Sequence, residues 1–442
     1  MKKKTLTAIL LCLIPLFLTG CTIADLPIIG NLFSGKNISG APVTLNMWGL
    51  WESPDVMKVL IEKYKVLHPN VTINYDDRSV VRPSQYKDTV VGRISQVGAP
   101  DVLLVHNSWV SQLKDSLSPM PTKLMTAQTY TSTFYPVTSQ SAVIGGTIYA
   151  APAHYDGLVL VYNKAHFKEI NQNTPPTAWE EFKGLAKLLT IRNDKGDIQR
   201  AGAAIGSADN IDFFADILGL MFAQANVTVP SDLTSKPAQD ALTFYTNFVN
   251  QDKVWSSAFP ESLTAFAQGK VSMVFVPTWD LLDLVKNVPT LDIGVAPVPQ
   301  AFPTNPTSWA SFWMYAVPKS SQNAAAAWDF INFLIQDDQE LSLFSEAAKY
   351  RAYGAPFSSV ALAVQAASGP ASKYIKPALD TAPFAKSSYL TGRSGNALQV
   401  DALKTAVNVM VAEKETDRLT PDLALKACKD TLMGVTPTTT TQ

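Results

Sequence analysis

Val43-Thr44-Leu45-Asn46-Met47-Trp48, then Ser53-Pro54-Asp55, then Val71-Thr72-Ile73-Asn74-Tyr75: these three pieces decide the fold of this 442-residue chain. In the first, Val43, Leu45 and Met47 alternate with polar Thr44 and Asn46, the two-residue period of a strand with one buried face. Ser53 is a good helix N-cap, and Pro54 fits the first helical position, where an amide has no partner to lose. A helix is therefore predicted over 55–67, and a second strand over 71–75. Two strands joined through a helix build a parallel sheet covered by helices.

The alternation continues outward. Helices are predicted at 86–96, 179–189, 212–225, 236–250, 263–268 and 323–335, and strands at 101–105, 158–162, 271–276 and 312–317. Thr177, behind Pro175-Pro176, is the expected cap of the helix from Trp179. Helix 212–225 is largely apolar and so expected to be buried. The fold class is α/β over two units, since a chain of this length exceeds what one core fills. Ligands of open α/β sheets sit beyond the carboxyl ends of the strands, which marks 48–52, 107–109 and 277–280.

The first residues read differently. Met1-Lys2-Lys3-Lys4 is a positive start, residues 5–18 are an apolar run too short to span comfortably, and Leu18-Thr19-Gly20-Cys21 closes it. This order resembles a bacterial lipobox, which implies cleavage before Cys21 and acylation of its thiol. The other reading is an ordinary secretory signal with a chance cysteine. Two or three acyl chains, at roughly 0.8 kcal/mol per buried CH₂, make a stable anchor. Residues 21–41 would then be anchor and tether, and 436–442 a disordered, low-complexity tail. The expected location is extracytoplasmic, at the membrane surface.

Composition excludes several classes. Removing residues 1–20 takes away three lysines and no acid, moving the formal charge from -1 to -4. No basic block suggests nucleic acid. With only Cys12, Cys21 and Cys428, no disulfide is possible within a mature, lipidated chain. An apolar content of 47% with 10% aromatics supplies the core instead. There is no His-Glu-x-x-His, Cys-x-x-Cys, P-loop or Gly-x-Ser-x-Gly element, so no metal, cofactor or catalytic residue is expected. Acidic pairs such as Asp76-Asp77, Glu180-Glu181 and Asp337-Asp338 fit turns and helix starts. A glycosidase pair could still come from acids distant in sequence.

Aromatics near strand ends are the stronger signal: Trp48, Trp51, Trp109, Tyr155, Trp279, Trp309 and Trp313. An exposed indole calls for a cover, and the flat face of a pyranose supplies one. Glu52, Asn107, Asp156, Asp280, Ser311 and Arg351 lie near them and could bond sugar hydroxyls. The expected ligand-binding set is Trp48, Glu52, Asn107, Trp109, Tyr155, Asp156, Trp279, Asp280, Trp309, Ser311 and Arg351.

Six elements in order then resemble the bacterial extracellular solute-binding proteins of carbohydrate-type ABC importers, the maltose-binding-protein group. They are Gly98-Ala99-Pro100-Asp101-Val102; Ile148-Tyr149-Ala150-Ala151-Pro152 with Tyr162-Asn163-Lys164; and Pro175-Pro176-Thr177-Ala178-Trp179-Glu180-Glu181-Phe182. The others are Ala265-Phe266-Ala267-Gln268-Gly269-Lys270 closing on Trp279, Ile293-Gly294-Val295-Ala296-Pro297-Val298-Pro299, and Thr420-Pro421-Asp422-Leu423-Ala424-Leu425. Ala178 departs from the commoner Thr.

The resemblance implies a two-lobe periplasmic-binding-protein-like fold with three hinge crossings, near Ala150, near Gly294 and near Tyr353-Gly354. Residues 42–150 and 295–352 would form the N-terminal lobe, and 151–294 and 353–435 the C-terminal lobe. Pro152 would stiffen the first crossing. The implied function is that of a non-enzymatic, monomeric sugar or oligosaccharide binder delivering its ligand to ABC permease subunits. A ligand-presenting receptor for a sensor kinase, an extracellular glycosidase and a non-sugar ligand are the alternatives. Against ferric-ion binding, there is no Tyr-Tyr pair; against polyamines, only Glu52, Asp156 and Asp280 stand as cleft acids.

Overall fold

A computed structural model describes residues 40–366 and 368–434. The expected signal, Cys21, most of the tether and the C-terminal tail lie outside them. The chain from Pro42 carries two main sheets.

The first sheet has the order Val71–Asp77, Val43–Gly49, Val102–His106, Trp313–Ala316, Ala151–Pro152. The first three strands are parallel, and the last two join antiparallel. Ser53 caps the helix Pro54–Leu67, its Oγ accepting from the Val56 amide at 3.4 Å. Val56, Met57, Leu60 and Tyr64 form that helix's buried stripe. Burying one such side chain is worth ~1.5–3 kcal/mol. Asp101 ties the start of its strand to the neighbours, accepting from the Asn46 amide at 2.9 Å and from Ser321 Oγ at 2.6 Å. The Gly98-to-Val102 element thus has a structural task.

The second sheet places Leu158–Asn163 between Met273–Pro277 and Ile293–Ala296, antiparallel to both. Asn163 caps the helix Lys164–Glu169, its Oδ1 accepting from the amides of Ala165 at 2.9 Å and His166 at 3.3 Å. The helix Phe214–Gln224 is buried on nearly every side, as its apolar sequence requires. One expected cap differs. The position before Trp179 is Ala178, and the Glu181 carboxylate reaches back to accept from the Thr177 amide at 2.8 Å. Thr177 Oγ1 donates to the same carboxylate at 3.0 Å and so does not cap the helix.

The chain passes from first sheet to second between Pro152 and Leu158. Gly294 lies within a second-sheet strand, opposite Tyr162, and the chain next joins the first sheet at Trp313. On the way Ser308–Trp309 pairs with Ala385–Lys386. At Gly354 a Cβ would stand 2.3 Å from the Phe344 carbonyl oxygen, so only glycine fits that close approach.

Candidate ligand-binding site

A cleft of about 630 Å³ opens where segments of both sheets meet. Trp51, Ser79 to Ser84 and Trp313 line it from the first sheet's side, and Asp156, Trp279, Asp280 and Asp283 from the second's. His154 and Ser311 come from the connecting chain, and 391–397 close one end.

Three indoles form its apolar wall. Trp51 follows the first strand with φ of 61°, a left-handed backbone that costs a non-glycine residue about 1–2 kcal/mol. Its amide donates to Ser79 Oγ, which holds the turn. The ring meets Trp313 edge-on at 4.9 Å and approaches Trp279 at 6.3 Å. Trp279 is half-buried. It stacks on His154 at 5.3 Å and lies 4.5 Å from the Arg351 guanidinium. Burial pulls the His154 pKa down to about 3, so that ring is neutral near pH 7.

The polar groups are anchored from behind. Asp156 Oδ1 accepts from Thr278 Oγ1 at 2.6 Å and from the Trp279 amide at 3.1 Å, capping the helix Thr278–Asn287. Burial raises its pKa to about 6, against the pull of those bonds. Asp280 pairs with Arg393. The segment carrying Arg393 is held on both sides. Gly392 N donates to Asp216 Oδ2 at 2.8 Å, Trp109 Nε1 donates to the Ser394 carbonyl at 2.8 Å, and Asn396 Nδ2 donates to Ser108 Oγ at 2.9 Å. Ser311 bonds His106 Nε2 at 2.9 Å and donates its amide to the Asp156 carbonyl at 3.0 Å.

Of the residues expected from sequence, Asp156, Trp279, Asp280 and Ser311 line the cleft. Glu52 and Arg351 sit one layer back. Their ion pair, at 2.6 Å, backs the Trp279 ring. The other five do not face the cleft. Trp48 is buried under the Arg78 guanidinium, 4.6 Å above its ring, and against Tyr86. Asn107 is spent on Ser141, Ser387 and the Phe312 amide. Trp109 and Tyr155 are 0% exposed. Trp309 donates to Asp216 at 3.1 Å and packs on Gly219, among the second sheet's helices rather than with the first lobe. In each case the next element covers a side chain whose sequence position says only that a strand is ending. Trp51 and Trp313 were visible as strand-end aromatics. Sequence reasoning missed His154, Phe213, Asp283, Asp401 and the 391–397 segment, where Gly392-Arg393-Ser394-Gly395-Asn396 was the one available turn signal. Among the described residues, no group of three or more His, Cys, Asp and Glu side chains could hold a metal ion.

The fold has known counterparts. A solute-binding protein of an ABC transporter from Thermotoga lettingae, bound to α-D-tagatose, aligns with a TM-score of 0.66 at 19% identity, covering 89% of this chain and 99% of that one. The cyclic α-maltosyl-1,6-maltose binding protein of Arthrobacter globiformis gives 0.69 at 18%, covering 89% and 99%. The sugar-binding protein MalE of Xanthomonas citri gives 0.68 at 16%, covering 89% and 97%. These likenesses establish the two-lobe fold. The family model described as "Bacterial extracellular solute-binding protein" matches residues 51–341, about two thirds of the sequence. The chain therefore belongs to the bacterial extracellular solute-binding proteins, a family of binders and not of enzymes.

Proposed function

We propose that this chain is a lipid-anchored binding protein of an ABC importer, taking a sugar or oligosaccharide between its lobes and passing it to a membrane permease. The observation that carries the sugar reading is the meeting of three indoles, Trp51, Trp279 and Trp313, with Asp156, Asp280 and Ser311 in one cleft. Indole faces cover the C–H side of a pyranose while carboxylates and hydroxyls bond its rim. The sugars bound by the structural neighbours from T. lettingae and A. globiformis agree with it.

The mechanism is a population shift. Trp51 and Trp279 come from different lobes, so a ligand touching both gains contacts that only the closed form offers. Cys21 would hold the protein at the membrane beside the permease. A thermal-shift screen of the chain from Gly40 against sugars, polyamines and peptides tests the reading. A selective sugar at a hundredfold excess over Kd should add about 2.7 kcal/mol of stability. Stabilisation by peptides alone would overturn it.

A further inference from the structure

The charges in the cleft are unequal. Four aspartates, Asp156, Asp280, Asp283 and Asp401, line it against two arginines, Arg82 and Arg393, an excess of two negative charges with His154 neutral. Arg393 is committed to Asp280. Asp156 is more than nine-tenths buried, its Oδ1 accepting from Thr278 Oγ1 and from the Trp279 amide. Its charge offsets the positive end of the helix Thr278–Asn287. Asp283 and Asp401 stand exposed on the helices Thr278–Asn287 and Ala397–Met410, and among the described residues neither side chain has an ion pair or hydrogen bond. Among the described residues that line the cleft, Arg82 is the one cation without an ion pair to set against them.

We infer that Asp283 and Asp401 tune this cleft for a ligand that carries an ammonium group on a ring body, an amine-bearing sugar, and against acidic sugars. The ring packs on the indoles, whose faces also attract a cation, while the ammonium meets the exposed carboxylates of Asp283 and Asp401, which form no ion pair among the described residues. An acidic sugar would bring a third unbalanced charge into a partly desolvated site. The inference rests on the sugar reading above and narrows it.

The test titrates three β-1,4 trimers at pH 6.5 and low salt by intrinsic fluorescence: chitosan trimer with free amines, its N-acetylated counterpart, and trigalacturonate. The amine form should bind at least threefold tighter than the acetylated form and at least tenfold tighter than the acid. The double variant Asp283→Asn, Asp401→Asn should remove that advantage, weakening the amine trimer by a larger factor than the acetylated one. An equal or reversed order, or an order indifferent to the double variant, would overturn the inference. If spermidine binds and no trimer does, the ammonium assignment stands and the sugar reading fails. If none binds, ionic quenching decides. With each ion's quenching scaled to that of free N-acetyltryptophanamide, tryptophan emission that depends on Trp51, read against Trp51→Phe, should be quenched more by caesium than by iodide, and the double variant should level the two. Equal quenching of the unmodified chain would overturn the assignment.

Discussion

Trp279→Ala separates a binding role from a core role. The indole is half-buried, touching His154 at 5.3 Å, Trp51 at 6.3 Å and the Arg351 guanidinium at 4.5 Å. A sugar on its free surface would gain an aromatic packing term of about 0.5–1.5 kcal/mol and cover some tens of Å² at ~25 cal/mol per Å². Together these give a loss of about 2 kcal/mol on truncation, roughly thirtyfold in Kd. The ligand-free protein loses the cation–π contact, about 0.5–1 kcal/mol, and part of the indole's burial, and Arg351 keeps its partner Glu52. Unfolding free energy should therefore fall by only about 1–2 kcal/mol. Calorimetric titration gives the first quantity and urea denaturation the second. An unchanged Kd would refute the stacking role. A stability loss above about 4 kcal/mol would make Trp279 a core residue in the manner of Trp109.

Other perturbations have expected outcomes too. Asp156 has its folded pKa raised from 3.8 to about 6, so its contribution to stability is full below pH 3.8 and fades as pH rises through about 6. The stability of the unmodified chain relative to Asp156→Asn should accordingly decline from pH 4 to 7, and parallel denaturation profiles would refute this. Gly354→Ala drives a Cβ toward the Phe344 backbone oxygen, which cannot swing aside as a side chain could, and should cost at least 2 kcal/mol by the same assay. Glu52→Gln weakens the support of Arg351 behind Trp279 and should lower ligand affinity severalfold without touching the ligand; equal affinities would remove that supporting role. Cys21→Ser should yield an unprocessed or released chain, which intact-mass analysis would read directly. In the unmodified chain, a mature terminus at Cys21 with a free thiol would end the lipoprotein proposal.

The sheets were legible because strand period and helix caps are local. Residues 43–75 give strand, capped helix and strand with no information from elsewhere. Several family elements proved to be fold devices, with Asn163 capping a helix and Asp101 pinning a strand. The cleft was legible where local chain direction decides it. Asp156 and Trp279 flank a sheet crossing and a strand end, and a hydrogen bond joins them. It was not legible where tertiary packing decides which aromatic is covered. Trp109 and Trp309 end strands as Trp279 does, yet the Ser394 carbonyl and Asp216 claim their indole N–H groups from far along the chain. Arg393 enters the site from a turn whose partners, Asp280 and Asp216, belong to distant helices. No period or spacing encodes such a meeting.

The central claim is that a sugar sits between the lobes on this aromatic wall. A crystal structure of the chain with the sugar selected by thermal shift tests it most directly. The account predicts a pyranose ring within about 4 Å of Trp51, Trp279 or Trp313, with its hydroxyls bonded to Asp156 or Ser311. A sugar seated instead in the outer groove beside Trp179, Phe244 and Phe302, with the interlobe cleft empty, would contradict it.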